Sequence, residues 1–199
     1  MAAVTATANP TPTPPETCAV AFKEWAGVCD ALGSGRQSLI LRKGGISETS
    51  GEFRPEHPAF WLYPTHVHEA EQGLKTPGPA RPADDPPDTV ALAALAVVEW
   101  VGRVERLDQL DHLAGYHDWT ETTILKRFHY RTPGLWALAV RVHARPDPWR
   151  VAVTSAHLGC KTWVPLESPM ATAGLAPVLD DAEAWRRLDG IRSALGPRS

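Results

Sequence analysis

Residues 136–144 read Trp-Ala-Leu-Ala-Val-Arg-Val-His-Ala. Successive side chains of an extended chain point to opposite faces, so Trp136, Leu138, Val140 and Val142 share one face, with Arg141 and His143 on the other. This is a strand, and its flanks define the fold around it. Upstream, Asp118-Trp-Thr-Glu121 has the form of a capping box. The helix it opens would bury Ile124, Leu125 and Phe128 and stop before Pro133-Gly134. Further upstream, Val90 to Leu107 contains a valine-rich strand over residues 96–104. Leu107, Leu110 and Leu113 then recur at helical spacing through a short helix over 108–114. Downstream, Cys160 to Leu166 reads as another strand, and Asp180 caps a final helix whose core stripe is Trp185, Leu188, Ile191 and Leu195. Interleaved strands and short helices predict a single α+β domain, a mixed or antiparallel sheet packed by two or three helices.

The first half is less regular. Trp25, Val28 and Leu32 suit a helix or a strand. The Gly33-Ser34-Gly35 turn, followed by a short strand over 37–41, favours a hairpin in which residues 24–31 are the first arm. Phe60-Trp-Leu-Tyr63 is a short buried strand stopped by Pro64. Residues 1–17, rich in Ala, Thr and Pro, have almost nothing to bury and are expected to form a disordered tail. The domain then spans 18–196. It is interrupted by a proline-rich loop, residues 73–88, which reads as an excursion because neither flank could bury a core alone.

The chain has 199 residues, with 43% hydrophobic and 22% charged. Those values suit one soluble globular domain and exclude coiled-coil and collagen-like classes. A formal charge of −3 makes extended nucleic acid a poor partner. Cys18, Cys29 and Cys160 show no paired spacing, so a disulfide framework is not indicated. No apolar run reaches membrane-spanning length, and the N-terminus lacks a basic, apolar leader. A cytoplasmic protein with no membrane partner is expected. Oligomeric state is not legible.

Several stretches carry a family resemblance. Lys23-Glu-Trp-Ala26, Leu41-Arg-Lys-Gly-Gly-Ile46 and Phe60-Trp-Leu-Tyr-Pro-Thr65 with His68 resemble the bacterial family known as domain of unknown function 1802. Trp119-Thr-Glu121, Arg127-Phe-His-Tyr130 and Gly159-Cys-Lys-Thr-Trp163 follow in its order. The resemblance covers roughly residues 20–195 and implies no substrate, cofactor or catalytic residue. A looser architectural likeness is to Nudix hydrolases. It rests on a strand-turn-strand before Phe60-Trp-Leu-Tyr-Pro64 and on Trp163-Val-Pro-Leu-Glu167 before a capped helix. The Nudix box itself is missing.

Two groups of residues suggest chemistry. Arg42 and Lys43 beside Gly44-Gly45 form an anion seat, since glycine amides approach a phosphate closely. Lys126, Arg127 and Arg131 form a second basic group, the last two sharing a helix face. Thr65-His-Val-His-Glu-Ala-Glu71 is the densest run of ligand-type residues. On an extended strand His66 and His68 would share a face and a divalent metal, completed by Glu69 or Glu71. Cys160 near His157 has the form of a thiol nucleophile, although burial as an inert thiol is the simpler reading. Six tryptophans lie in apolar patterns and are expected in the core. Trp119 and Trp149 lie beside polar residues and are the better surface candidates. The first functional reading is therefore a domain of unknown activity that binds a small anionic, phosphate- or nucleotide-like ligand or a protein partner. A metal-assisted phosphoester hydrolase comes second and a nucleic-acid accessory protein third.

Overall fold

The chain's first strand, β1 (Thr17–Trp25), ends where a helix begins, α1 (Ala26–Gly33). The expected hairpin over 24–41 is therefore absent. Val28, Ala31 and Leu32 recur at helical spacing and are buried, and the Glu69 carboxylate accepts the Gly27 amide at 2.7 Å. That long-range cap decides a segment whose local pattern suits either conformation. Gly35, at φ +74°, closes the turn after the helix. In this computed structural model residues 12–43, 56–69, 73–80, 87–159 and 161–196 are described.

The remaining elements are β2 (Leu39–Arg42), β3 (Ala59–Thr65), β4 (Thr89–Val104), α2 (Leu107–Leu113), α3 (Glu121–His129), β5 (Leu135–Ala152), β6 (Trp163–Ala171), β7 (Ala176–Pro177) and α4 (Asp181–Leu195). They form one mixed sheet in the order β2-β5-β4-β3-β1-β6, with the short β7 against β5. β1 and β3 are parallel, and every other pair is antiparallel. This is the expected α+β domain, with four α-helices among the described residues. β2 leaves its predicted partner and joins β5 instead. With α1 between β1 and β2, the opening does not match a Nudix hydrolase, and that likeness fails.

The sheet has two cores. The larger lies under the helices, where Val28, Leu110, Leu113, Ile124, Phe128, Leu188 and Ile191 meet Phe22, Phe60, Leu62 and Leu138. The smaller consists of Cys18, Ala21, Trp61, Tyr63, Leu92, Leu95, Val97 and Val164 with their neighbours. These belong to strands alone, so the sheet must curl around them; register shifts in β4 at Leu92/Ala94 and Val98/Trp100 permit the bend. The two faces of residues 136–144 are both buried. Arg141, 3% exposed, is held by Glu99 at 3.0 Å and by Asp181 at 2.5 Å, under the start of α4.

Two caps differ in legibility. Asp180 accepts the Glu183 amide at 2.8 Å and opens α4 as expected. At α3 the cap is Thr120, which accepts the Thr123 amide, not Asp118. Asp118 is buried and accepts the Thr76 hydroxyl at 3.3 Å. The proline-rich excursion begins as a docked segment: Gly73 donates to Thr123 Oγ1 at 2.7 Å, and Lys75 Nζ reaches the carbonyls of Ala114 and His117. No helix among the described residues is long and apolar enough to cross a membrane.

Candidate functional site

Lys23, Glu24 and Trp25 are the last three residues of β1 and lie in register with Tyr63, Pro64 and Thr65 of β3. Beyond the ends of this parallel pair opens a cleft of about 460 Å³. Arg42 enters from β2, Arg127 from α3, Val67 and His68 from the turn after β3, and Gly159, Lys161 and Thr162 from the segment before β6. Among the described residues, four cationic side chains thus line it, with Glu24 the one carboxylate.

Glu24 is 2% exposed. Its Oε1 accepts the Trp25 amide at 3.0 Å, and Arg42 Nη1 stands 3.3 Å from Oε2. Arg42 Nη2 also donates to the Lys23 carbonyl at 3.1 Å, while its guanidinium lies 4.5 Å over the Phe22 ring. Lys23 Nζ donates to the carbonyls of His157 and Gly159 at 2.5 and 3.0 Å and so ties the 157–162 segment to the rim. Arg127 sits in the notch of two indoles, 4.2 Å from the Trp25 centroid and 4.5 Å from that of Trp119. Burial lowers its pKa to about 10; Glu24 opposes the shift and Arg42 adds to it. The guanidinium stays charged at neutral pH, in a place short of counter-charge.

Of the predicted anion residues, Arg42 and Arg127 meet in this cleft. Lys43 turns away and donates to the carbonyls of Phe128, Thr132 and Gly134, closing the C-terminal end of α3. Lys126 is exposed and absent from the cleft lining. Arg131, at φ +60°, packs on its neighbour Tyr130. Gly44 and Gly45 lie outside the described residues, as do Glu71 and Cys160. Trp119, expected at the surface, is 2% exposed because Arg127 and Trp25 cover it. Trp149 is exposed.

The extended run that would put His66 and His68 on one face does not form. β3 ends at Thr65, and the chain turns so that His68 takes φ +58°, which removes the alternation the pairing needed. His66 Nδ1 meets Glu69 Oε2 at 2.8 Å, and the other Glu69 oxygen caps α1. Among the described residues, no group of three His, Cys, Asp or Glu is placed to hold a metal ion. Missing from the sequence reading were Lys23, Glu24, Thr65, Lys161 and Thr162. A signal was present for the first two: a charged pair inside the apolar run Val20-Ala-Phe-Lys-Glu-Trp-Ala26.

Fold and cleft together define a mixed-sheet α+β protein with a basic pocket at the ends of its parallel strand pair. The chain belongs to the family described as domain of unknown function (DUF1802), whose profile matches residues 21–189. No curated protein matches it. Among solved structures it is similar to ASCH from Zymomonas mobilis, at 13% identity and TM-score 0.41, covering 86% of this chain and 94% of that one. It is also similar to a mutant of the same protein, at 13% identity and TM-score 0.39, covering 85% and 94%.

Proposed function

We propose that the protein binds a small anionic ligand, phosphate- or nucleotide-like, in the cleft at the ends of β1 and β3. The observation that carries this reading is the convergence of Lys23, Arg42, Arg127 and Lys161, from four separate parts of the chain, around one concavity. Basic residues brought together by long-range folding, and partly withdrawn from water, are an arrangement that an anion stabilises. The volume lies within the range of small-molecule sites.

Isothermal titration of the full chain with inorganic phosphate, ribose 5-phosphate and nucleoside monophosphates tests the proposal. Saturable binding is expected, weakened about tenfold by Lys161→Ala, the loss of one charge-assisted contact. Absence of saturable binding by every probe overturns the reading. Metal-assisted hydrolysis has one point of support, since His68 lines the same cleft. The commitment of His66 and Glu69 to each other and to α1 ranks it below simple binding.

A further inference from the structure

Arg127 is held in place but not neutralised. Trp25 and Trp119 are both buried, and the guanidinium lies 4.2 and 4.5 Å from their ring centroids. Neither indole offers it an oxygen, and among the described residues it makes no hydrogen bond or ion pair. Its Nε is enclosed in the notch. The side chain as a whole is half-buried and lines the cleft, so the edge it turns to the opening is that of Nη1 and Nη2. Arg42 and Lys23 are placed differently. Arg42 Nη1 faces Glu24 and its Nη2 is bonded to the Lys23 carbonyl. The Lys23 ammonium is bonded to the carbonyls of His157 and Gly159. A guanidinium stacked on aromatic faces has lost its rotamer freedom before a ligand arrives. Its two terminal nitrogens match two oxygens of one phosphate or carboxylate.

Resting on the anion-binding reading above, we infer that Arg127 grips the ligand's anionic group and that this group is a terminal phosphate monoester. Charge selects the monoester. Along the cleft the described cationic side chains outnumber the carboxylates four to one. A group with nearly two negative charges is therefore drawn in more strongly than a carboxylate or a phosphodiester, each of which carries one.

The test is isothermal titration of the full chain with ribose 5-phosphate, its methyl diester and riburonate, three probes that share one sugar. Wild type is expected to bind the monoester about tenfold or more tighter than either monoanion. Arg127→Met should weaken ribose 5-phosphate about tenfold or more, the scale of a charge-assisted hydrogen bond. Lys126→Met removes the same charge from the preceding position of α3. Lys126 is exposed and outside the cleft lining, so its loss should weaken binding less than about threefold, because water and salt screen it. If Arg127→Met does not fold, Arg127→Lys takes its place and should still weaken binding about fivefold or more, since an ammonium keeps the charge without the fork. A smaller preference for the monoester, or none, overturns the ligand class. Losses of similar size in the Arg127 and Lys126 variants, or no loss in the former, overturn the assignment of Arg127. In both cases anion binding stands. Failure of all three probes and of the nucleotides above removes the anion reading itself.

Discussion

At the scale of single residues, His117 and the Glu24–Arg42 pair carry predictions of opposite character. His117 is 6% exposed, and its Nδ1 accepts the Trp119 amide at 3.2 Å. Burial, and secondarily Lys75, pushes its pKa down to about 4. The folded state therefore holds a neutral ring while the unfolded chain takes up a proton near pH 6.5. A depressed pKa contributes stability that is fully present above 6.5 and lost as pH falls towards 4, on the order of 3 kcal/mol. Urea melts between pH 7 and 4 should show that loss. His117→Asn, which can accept the same amide two residues on, should flatten the profile over that window. Breaking the Glu24–Arg42 pair is read at neutral pH. Arg42→Met removes the guanidinium 3.3 Å from a carboxylate that is 2% exposed, and an uncompensated buried charge costs about 3 kcal/mol. Chemical denaturation at pH 7 measures it, and a loss below about 1 kcal/mol would mean that Arg127 and Lys23 already neutralise Glu24.

At the scale of elements, the question is which side chain ends each one. Glu69 caps α1 through Gly27 and holds His66 with its other oxygen. Glu69→Ala should cost about 1 kcal/mol of stability, and Glu69→Gln less, because the amide oxygen can still accept. The same assignment makes a compositional prediction: purified protein and the His66→Ala/His68→Ala variant should show equal metal content by elemental analysis. Near-stoichiometric metal lost in the variant would return these residues to the ligand role. These caps also mark what could be seen in the chain beforehand. α4 was legible because Asp180 and Glu183 are neighbours and the apolar stripe is local. The strand over 136–144 was legible because its alternation is. α1 was misread since its eight residues suit two conformations, and the deciding cap comes from 42 positions away. Lys43 was misread for a related reason: a lysine after a strand gives no sign that it will close a helix some 85 residues on. Half of the cleft was visible as Arg42 and Arg127. Lys23 and Glu24 were hidden, because a charged pair in an apolar run becomes meaningful only when the partners from other elements are known.

At the scale of the whole molecule, the two cores share their strands. In β1, Phe22 faces the helical core and Ala21 the strand-built one; in β3, Phe60 and Leu62 face the first and Trp61 and Tyr63 the second. Neither core can lose its strands without exposing the other, so unfolding should be one cooperative step. Fluorescence of variants that keep only Trp61 or only Trp100, one from each core, should give the same denaturation midpoint as far-UV circular dichroism. Separated midpoints would mean that the curled part of the sheet opens independently. The charge distribution has a consequence at this scale as well. The chain is formally −3, yet among the described residues four cations and one carboxylate line the cleft, so acidic residues elsewhere must outweigh the basic ones. Anions are then repelled by the molecule as a whole and attracted at the cleft, where low-dielectric walls concentrate the field. Screening shortens from about 30 Å at 0.01 M salt to about 3 Å at 1 M. Added salt removes the long-range repulsion before it touches the contacts inside the cleft. Association of a nucleotide should accordingly slow little between about 0.01 and 0.1 M salt, and affinity should fall several-fold only as salt approaches 1 M. Stopped-flow and titration across that range check both parts. A steep loss of affinity already below 0.1 M would show that the ligand is held by charges outside the cleft.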